Sequence, residues 1–193
     1  MKSVFNKLLE KYKKLFTESR SYSCAMAYVD EKDDLHEKVV DFVNSIPEEE
    51  LYVKEEGHGR EFEPHTTILY GLHSSDEDEI YESLDLNDDI KATLGKLSFF
   101  ENDKYNVLKI GVKSEMLNKL NKRLRENMQY TNDFPSYEPH MTVAYLNKEA
   151  DMSKYDGLDL FEGVEVLFPF VKISAPESEK LFKIKDKDLK KDK

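Results

Sequence analysis

The chain has 193 residues, 39% of them hydrophobic and 36% charged, with a formal net charge of −11. That length suits one domain with a substantial core, and no apolar run is long enough to span a bilayer. Long nucleic acids are usually held on a broad basic surface, which so acidic a chain lacks, so a nucleotide ligand is expected to be small and met by a local pocket.

The single cysteine, Cys24, excludes an intramolecular disulfide and fits a reducing compartment, which makes the cytoplasm the expected location. In chain order, Val4, Phe5, Leu8, Leu9, Tyr12, Leu15 and Phe16 recur at helical spacing between lysines, which predicts an amphipathic helix within residues 1–20. It is expected to pack on the domain or on a partner rather than on a membrane, and without a small-residue cleavage site it does not read as a secretory signal. Ser21 to Asp30 reads as a strand with Tyr22, Cys24, Met26 and Tyr28 on one face. Leu35 to Ile46 reads as a helix stopped by Pro47, the run Glu48-Glu49-Glu50 as a solvated turn, and Leu51 to Val53 as a short strand. His65 to Tyr70 is a strand expected to end at Gly71, and Asp76 to Leu84 a helix with an acidic first turn.

Ile90 to Glu101 and Asn106 to Ser114 alternate as two strands joined by a turn, and Glu115 to Met128 forms the next helix. His140 to Tyr145 is a strand, and Val164 to Ser174 holds at least one more. From Lys183 the chain alternates Lys and Asp with little to bury, so residues 183–193 read as a charged flexible tail after a domain over 21–182. Strands and helices interleave as an α+β fold without a glycine-rich phosphate loop.

The chemistry lies in a short internal repeat. Glu63-Pro64-His65-Thr66-Thr67-Ile68-Leu69-Tyr70 recurs as Glu138-Pro139-His140-Met141-Thr142-Val143-Ala144-Tyr145, with Glu, Pro, His, Thr and Tyr identical. The simplest physical account is two related lobes facing each other across a pseudo-twofold axis. On a strand, residues i and i+2 share a face, so His65 projects with Thr67 and His140 with Thr142. Imidazole titrates near neutral pH, so one ring can accept a proton while the other donates one. The two hydroxyls suit non-bridging phosphate oxygens. A phosphodiester needs those two services, from a ribose 2′-hydroxyl or water on one side to the leaving oxygen on the other. The sequence leaves open which histidine is acid and which is base. No His, Cys or carboxylate cluster has metal-ligand spacing, so neither metal nor cofactor is expected.

Either histidine alone would be an ordinary strand residue; two in matched contexts are not. Tyr70 and Tyr145, at i+5, are expected to face the opposite side and pack in the core. His36, His58 and His73 lack partner spacing and read as surface histidines, and Cys24 as buried filler. Tyr22 is the preferred candidate for stacking on a nucleobase, Phe134 and Tyr137 for lining the mouth of the cleft, and Arg60 for meeting a phosphate.

The paired His-x-Thr strands resemble the two-histidine (2H, LigT-like) phosphoesterases. Within them, Phe134-Pro135-Ser136-Tyr137 leading into the second motif, and the opening Ser21-Tyr22-Ser23-Cys24, resemble the phage anti-CBASS phosphodiesterases, which destroy cyclic-oligonucleotide alarm signals in infected bacteria. The resemblance implies a bilobal α+β fold around a central cleft, with His65, Thr67, His140 and Thr142 as the catalytic set. It also implies metal-independent hydrolysis of 3′–5′ bonds in cyclic nucleotides or oligonucleotides, in the host cytoplasm if the gene is carried by a phage. Two alternatives stand beside this: a 2′,3′-cyclic phosphodiesterase acting on RNA ends or small nucleotides, and a non-catalytic nucleotide-binding module. Oligomeric state and base preference are not legible.

Overall fold

The computed structural model describes residues 22–54, 57–132, 134 and 136–184. The helix expected within residues 1–20 lies outside them. The elements are β1 (Ser23–Tyr28), α1 (Asp34–Ser45), β2 (His65–Leu72), α2 (Glu77–Ser83), β3 (Ile90–Glu101), β4 (Tyr105–Lys113), α3 (Glu115–Asn127), β5 (His140–Asn147), β6 (Glu165–Phe168), β7 (Phe170–Ser174) and β8 (Glu179–Lys183). The strands make one eight-stranded sheet in the order β6-β3-β4-β5-β2-β1-β7-β8, antiparallel at every pairing.

β6 is one edge of that order and β7 lies next to the other edge, yet only Pro169 separates them. One residue spans less than about 4 Å, so the sheet must curl until its two ends approach each other. The halves β6-β3-β4-β5 and β2-β1-β7-β8 are the two lobes, joined at the centre where β2 meets β5 at the pair Thr66 and Met141. Those two residues hold the same place in the repeat, so the pseudo-twofold axis passes between them.

The helices cover one face of the sheet. Each begins at a side-chain cap: Asp33 accepts from Leu35 N, Asp76 from Asp78 N and Glu79 N, and Ser114 from Leu117 N. Leu35, Val39 and Val43 of α1, Ile80 of α2, and Leu117, Leu120 and Leu124 of α3 bury their apolar faces against Ala25, Ala27, Ile68, Leu69, Ile110 and Met141. Residues on the opposite face, among them Met26, Tyr28, His65, Thr67, Lys109, His140 and Thr142, are only half-buried. That face carries the site.

Several expectations change. Gly71 does not end β2, which runs on to Leu72; it sits at φ +90°, where an added Cβ would lie 1.8 Å from the Thr131 carbonyl oxygen. Leu51 to Val53 forms only an isolated bridge from Leu51 to Leu146. Glu50 is buried rather than solvated, accepting from the Tyr155 hydroxyl and pairing with Lys154. The tail is ordered further than expected: β8 reaches Lys183, and Ile184 is buried with its N–H donating to Pro169 O. Residues 185–193 lie outside the described chain.

Candidate active site

β2 and β5 run antiparallel through the Thr66–Met141 pair, so His65 and Thr67 flank one member as His140 and Thr142 flank the other. All four project to the open face of the sheet, as alternation requires. The structure therefore brings together the four residues that the repeat singled out.

Both imidazoles are held in the same way. His65 Nδ1 lies 2.7 Å from Glu63 O, and His140 Nδ1 lies 2.7 Å from Glu138 O. A carbonyl oxygen only accepts, so each Nδ1 carries the hydrogen and each Nε2 is the nitrogen that gains and loses a proton. The glutamates of the repeat thus serve through their backbone, two residues ahead of each histidine.

The surroundings of the rings differ. Tyr28, paired with His65 across the β1–β2 ladder, stacks on its ring at 4.9 Å and 17°. Lys172 of β7 sits 4.5 Å from the centroid of Tyr28 and forms a 2.9 Å ion pair with Glu63. That hydrogen bond, with smaller help from Tyr28 and His65, holds the Glu63 carboxyl below the usual carboxylate range. In the other lobe, Phe100 meets His140 edge-on at 5.0 Å and 84°. Lys109 of β4 lies 4.2 Å from the Phe100 centroid and donates to Ser98 Oγ at 2.9 Å. Burial, with the charges of Lys109 and His65, pulls His140 below the usual imidazole value against the opposing effect of the Glu138 carbonyl and carboxylate. His140 is thereby favoured as a neutral ring that can accept a proton.

Each motif strand carries a bulge three residues after its histidine. Across β1–β2, Ala25 pairs with Leu69 and Met26 with Thr67, leaving Ile68 unpaired; across β4–β5, Leu108 pairs with Ala144 and Lys109 with Thr142, leaving Val143 unpaired. The carbonyls of both extra residues are met from elsewhere, Ile68 O by the buried Asn121 side chain of α3 and Val143 O by Glu61 N–H. One extra residue reverses the alternation. Tyr70 and Tyr145 therefore stand on the same face as the histidines, not in the core as expected, and Tyr70 is 45% exposed.

The remaining candidates divide. Tyr22 precedes β1 and stacks on His73 at 5.1 Å, and His73, exposed as expected, lies 2.8 Å from Thr131 Oγ1. His58 likewise contacts the rings of Tyr52, Tyr105 and Tyr145. Tyr137 reaches across the lobes, its hydroxyl donating to Thr67 O at 2.9 Å, and so fixes the motif strand instead of lining an open mouth. Phe134 is exposed near the end of β2. Arg60 is turned away from the phosphate role expected of it: its guanidinium donates to Val43 O and Ile46 O, capping the C-terminal end of α1. Cys24 contacts Thr67, and burial pushes its thiol up to about 12, away from the thiolate that a nucleophile needs. Among the described residues no three His, Cys, Asp or Glu side chains converge as a metal site, and no helix is long and apolar enough to cross a membrane.

A curled eight-stranded sheet with two His-x-Thr strands at its centre is a fold of the two-histidine phosphoesterase type, and solved structures share it. They include Usb1 of Kluyveromyces marxianus (TM-score 0.56, 12% identity, covering 85% of this chain and 98% of that one). The same protein with uridine monophosphate gives a TM-score of 0.52 at 11% identity, over 86% of this chain and 99% of that one. A protein described as a phosphoesterase gives 0.51 at 13% identity, over 86% and 96%. The chain belongs to the family described as anti-CBASS protein Acb1, whose model matches residues 54–166, more than half of its length. No curated protein matches it.

Proposed function

We propose that this protein is a metal-independent phosphodiesterase that opens 3′–5′ linkages in small cyclic oligonucleotides, as a counter-defence enzyme acting in the cytoplasm of an infected bacterium. The observation that carries the reading is the matched pair of imidazoles, each with Nδ1–H on the carbonyl two residues back and each beside a threonine on one open face. His140 is the base, because its surroundings favour the neutral ring. It takes the proton of a ribose 2′-hydroxyl as that oxygen bonds to phosphorus. The bond from phosphorus to the 5′-oxygen breaks, and His65 gives that oxygen its proton. The product is a linear oligonucleotide ending in a 2′,3′-cyclic phosphate. Thr67 and Thr142 donate to the non-bridging oxygens as charge gathers on them. Family membership supports the choice of substrate, and the uridine monophosphate held by Usb1 fits a nucleotide-sized ligand.

Incubation with a cyclic trinucleotide, beside an RNA ending in a 2′,3′-cyclic phosphate, followed by product analysis, tests activity and substrate together. A linear product from the ring is expected. Cleavage of the RNA end alone would assign the terminal-phosphate reading instead, and recovery of both ligands bound but intact would make the protein a binding module. Turnover should persist in excess EDTA; loss of activity restored by one added divalent ion would overturn the metal-free mechanism.

A further inference from the structure

We propose that Lys109 is a further catalytic residue, its ammonium contacting a non-bridging oxygen of the scissile phosphate beside Thr142. The inference rests on the phosphodiesterase reading and adds to it a cation that the repeat does not contain.

The sheet register carries the argument. Outward from β2 one row on the open face reads Thr67, Met26, Lys172; outward from β5 the matching row reads Thr142, Lys109, Ser98. The lysine has moved one strand inward in the second lobe. Adjacent strands lie about 4.8 Å apart, so Lys109 is the direct cross-strand neighbour of the hydroxyl that faces the phosphate, whereas Lys172 is two strands away.

The partners of the two lysines differ as well. Lys172 is neutralised by Glu63 at 2.9 Å. Lys109 has a neutral hydroxyl, Ser98 Oγ, and the face of Phe100, and among the described residues no carboxylate lies within ion-pair distance of it. A half-buried ammonium without a counter-charge is costly, and burial lowers its affinity for the proton while the more distant Glu138 opposes that effect. A phosphate seated on Thr67 and Thr142 supplies the missing negative charge. In a chain of net charge −11 such a local cation also offsets the repulsion of an anionic ligand. Negative charge on the non-bridging oxygens grows as the 2′-oxygen attacks, so the contact strengthens toward the transition state and acts on kcat more than on KM. The same cation faces His140, together with His65 and Glu138, and helps to keep that ring neutral.

The test compares wild type with Lys109→Met and Lys109→Arg on the cyclic trinucleotide. Lys109→Met should lower kcat by about 100- to 1,000-fold with KM within a few-fold, and Lys109→Arg should recover most of the loss. The acidic limb of the pH profile, set by the base, should move to higher pH in Lys109→Met. A methionine variant within about threefold of wild type in kcat, or an arginine variant as poor as the methionine one, would overturn the proposal. A second readout separates it from the wider functional reading: histidine-ring NMR during titration with inorganic phosphate needs no turnover. Wild type should show His140 responding at concentrations at least about tenfold lower than Lys109→Met, by the size of a desolvated charge contact. Equal phosphate responses would overturn the Lys109 contact whatever the substrate proves to be.

Discussion

The two lobes share backbone devices and differ in how they handle charge. Each holds its histidine through the carbonyl of a repeat glutamate, each bulges three residues later, and each sets a lysine over an aromatic ring that touches the imidazole. In the first lobe Tyr28 lies flat on His65, and Glu63 neutralises Lys172. In the second, Phe100 meets His140 only by its edge, and the residue paired with His140 across the ladder is Gly111, where a Cβ would meet nothing closer than 3.8 Å. The cation of one lobe is charge-balanced; that of the other is not. A duplicated scaffold can therefore give two identical side chains different surroundings by changing only what neighbouring strands present to them.

The largest effect that could break the comparison is loss of either ring. His65→Ala and His140→Ala should each reduce turnover by about 100- to 10,000-fold, and the double variant should be little worse than either, because acid and base act as one unit. Single-turnover kinetics with circular dichroism as a check on folding would measure this. A single variant near wild-type rate would mean that its lobe only holds phosphate.

Next in size is a change meant to leave the chemistry untouched. Arg60→Met removes the cap on α1 and should cost about 1–2 kcal/mol in denaturant unfolding, with kcat within a few-fold of wild type. A large fall in kcat without loss of stability would return Arg60 to the phosphate site.

The smallest effect is the most specific. On the proposed mechanism the rate should rise with pH as His140 loses its proton, and burial with Lys109 holds that step below the ordinary 6.5. The Glu138 carboxylate acts the other way, favouring the charged ring. Glu138→Gln removes that negative charge, so the neutral ring is reached at lower pH and the acidic limb should shift downward, by a few tenths of a unit for an exposed group. Glu63→Gln, in the opposite lobe, should leave that limb in place. If Glu63→Gln moved it and Glu138→Gln did not, His65 would be the base.

Much of this was legible in the sequence, for reasons of range. The bounds of α1, β3, β4 and α3 follow from periodicity and caps within a few residues, and the His-x-Thr pairs from repetition. What escaped depended on strand neighbours. Simple alternation sends Tyr70 and Tyr145 into the core, and nothing local marks the bulges at Ile68 and Val143 that reverse it. Tyr28, Phe100, Lys109 and Lys172 reach the site only because β1, β3, β4 and β7 flank the motif strands, an order that no single strand announces. The place of Arg60 just before the first motif suggests a phosphate contact, whereas its partner carbonyls lie 14 and 17 residues earlier, at the C-terminal end of α1. The matched carbonyl bonds of Glu63 and Glu138 leave a visible signal, since both glutamates are identical in the repeat, but a shared side chain does not announce a backbone role.

The Pro169 link has a consequence for how the chain is built. The first lobe is made of residues 23–72 with 170–183, and the second of 90–147 with 165–168, so neither is a continuous piece of sequence. During synthesis both halves wait for the same late segment: β6 closes the edge of one and, a residue later, β7 begins to close the other. The β3–β6 pair bridges more than 70 residues and the β1–β7 pair more than 140, and such pairs form slowly because loop closure precedes any gain from contact. Until that segment leaves the ribosome, the outer edges of β1 and β3 are unpaired and open to association with other chains. Maturation is thus gated by the final strands, and cutting the chain between the lobes would yield two incomplete sheets rather than two domains.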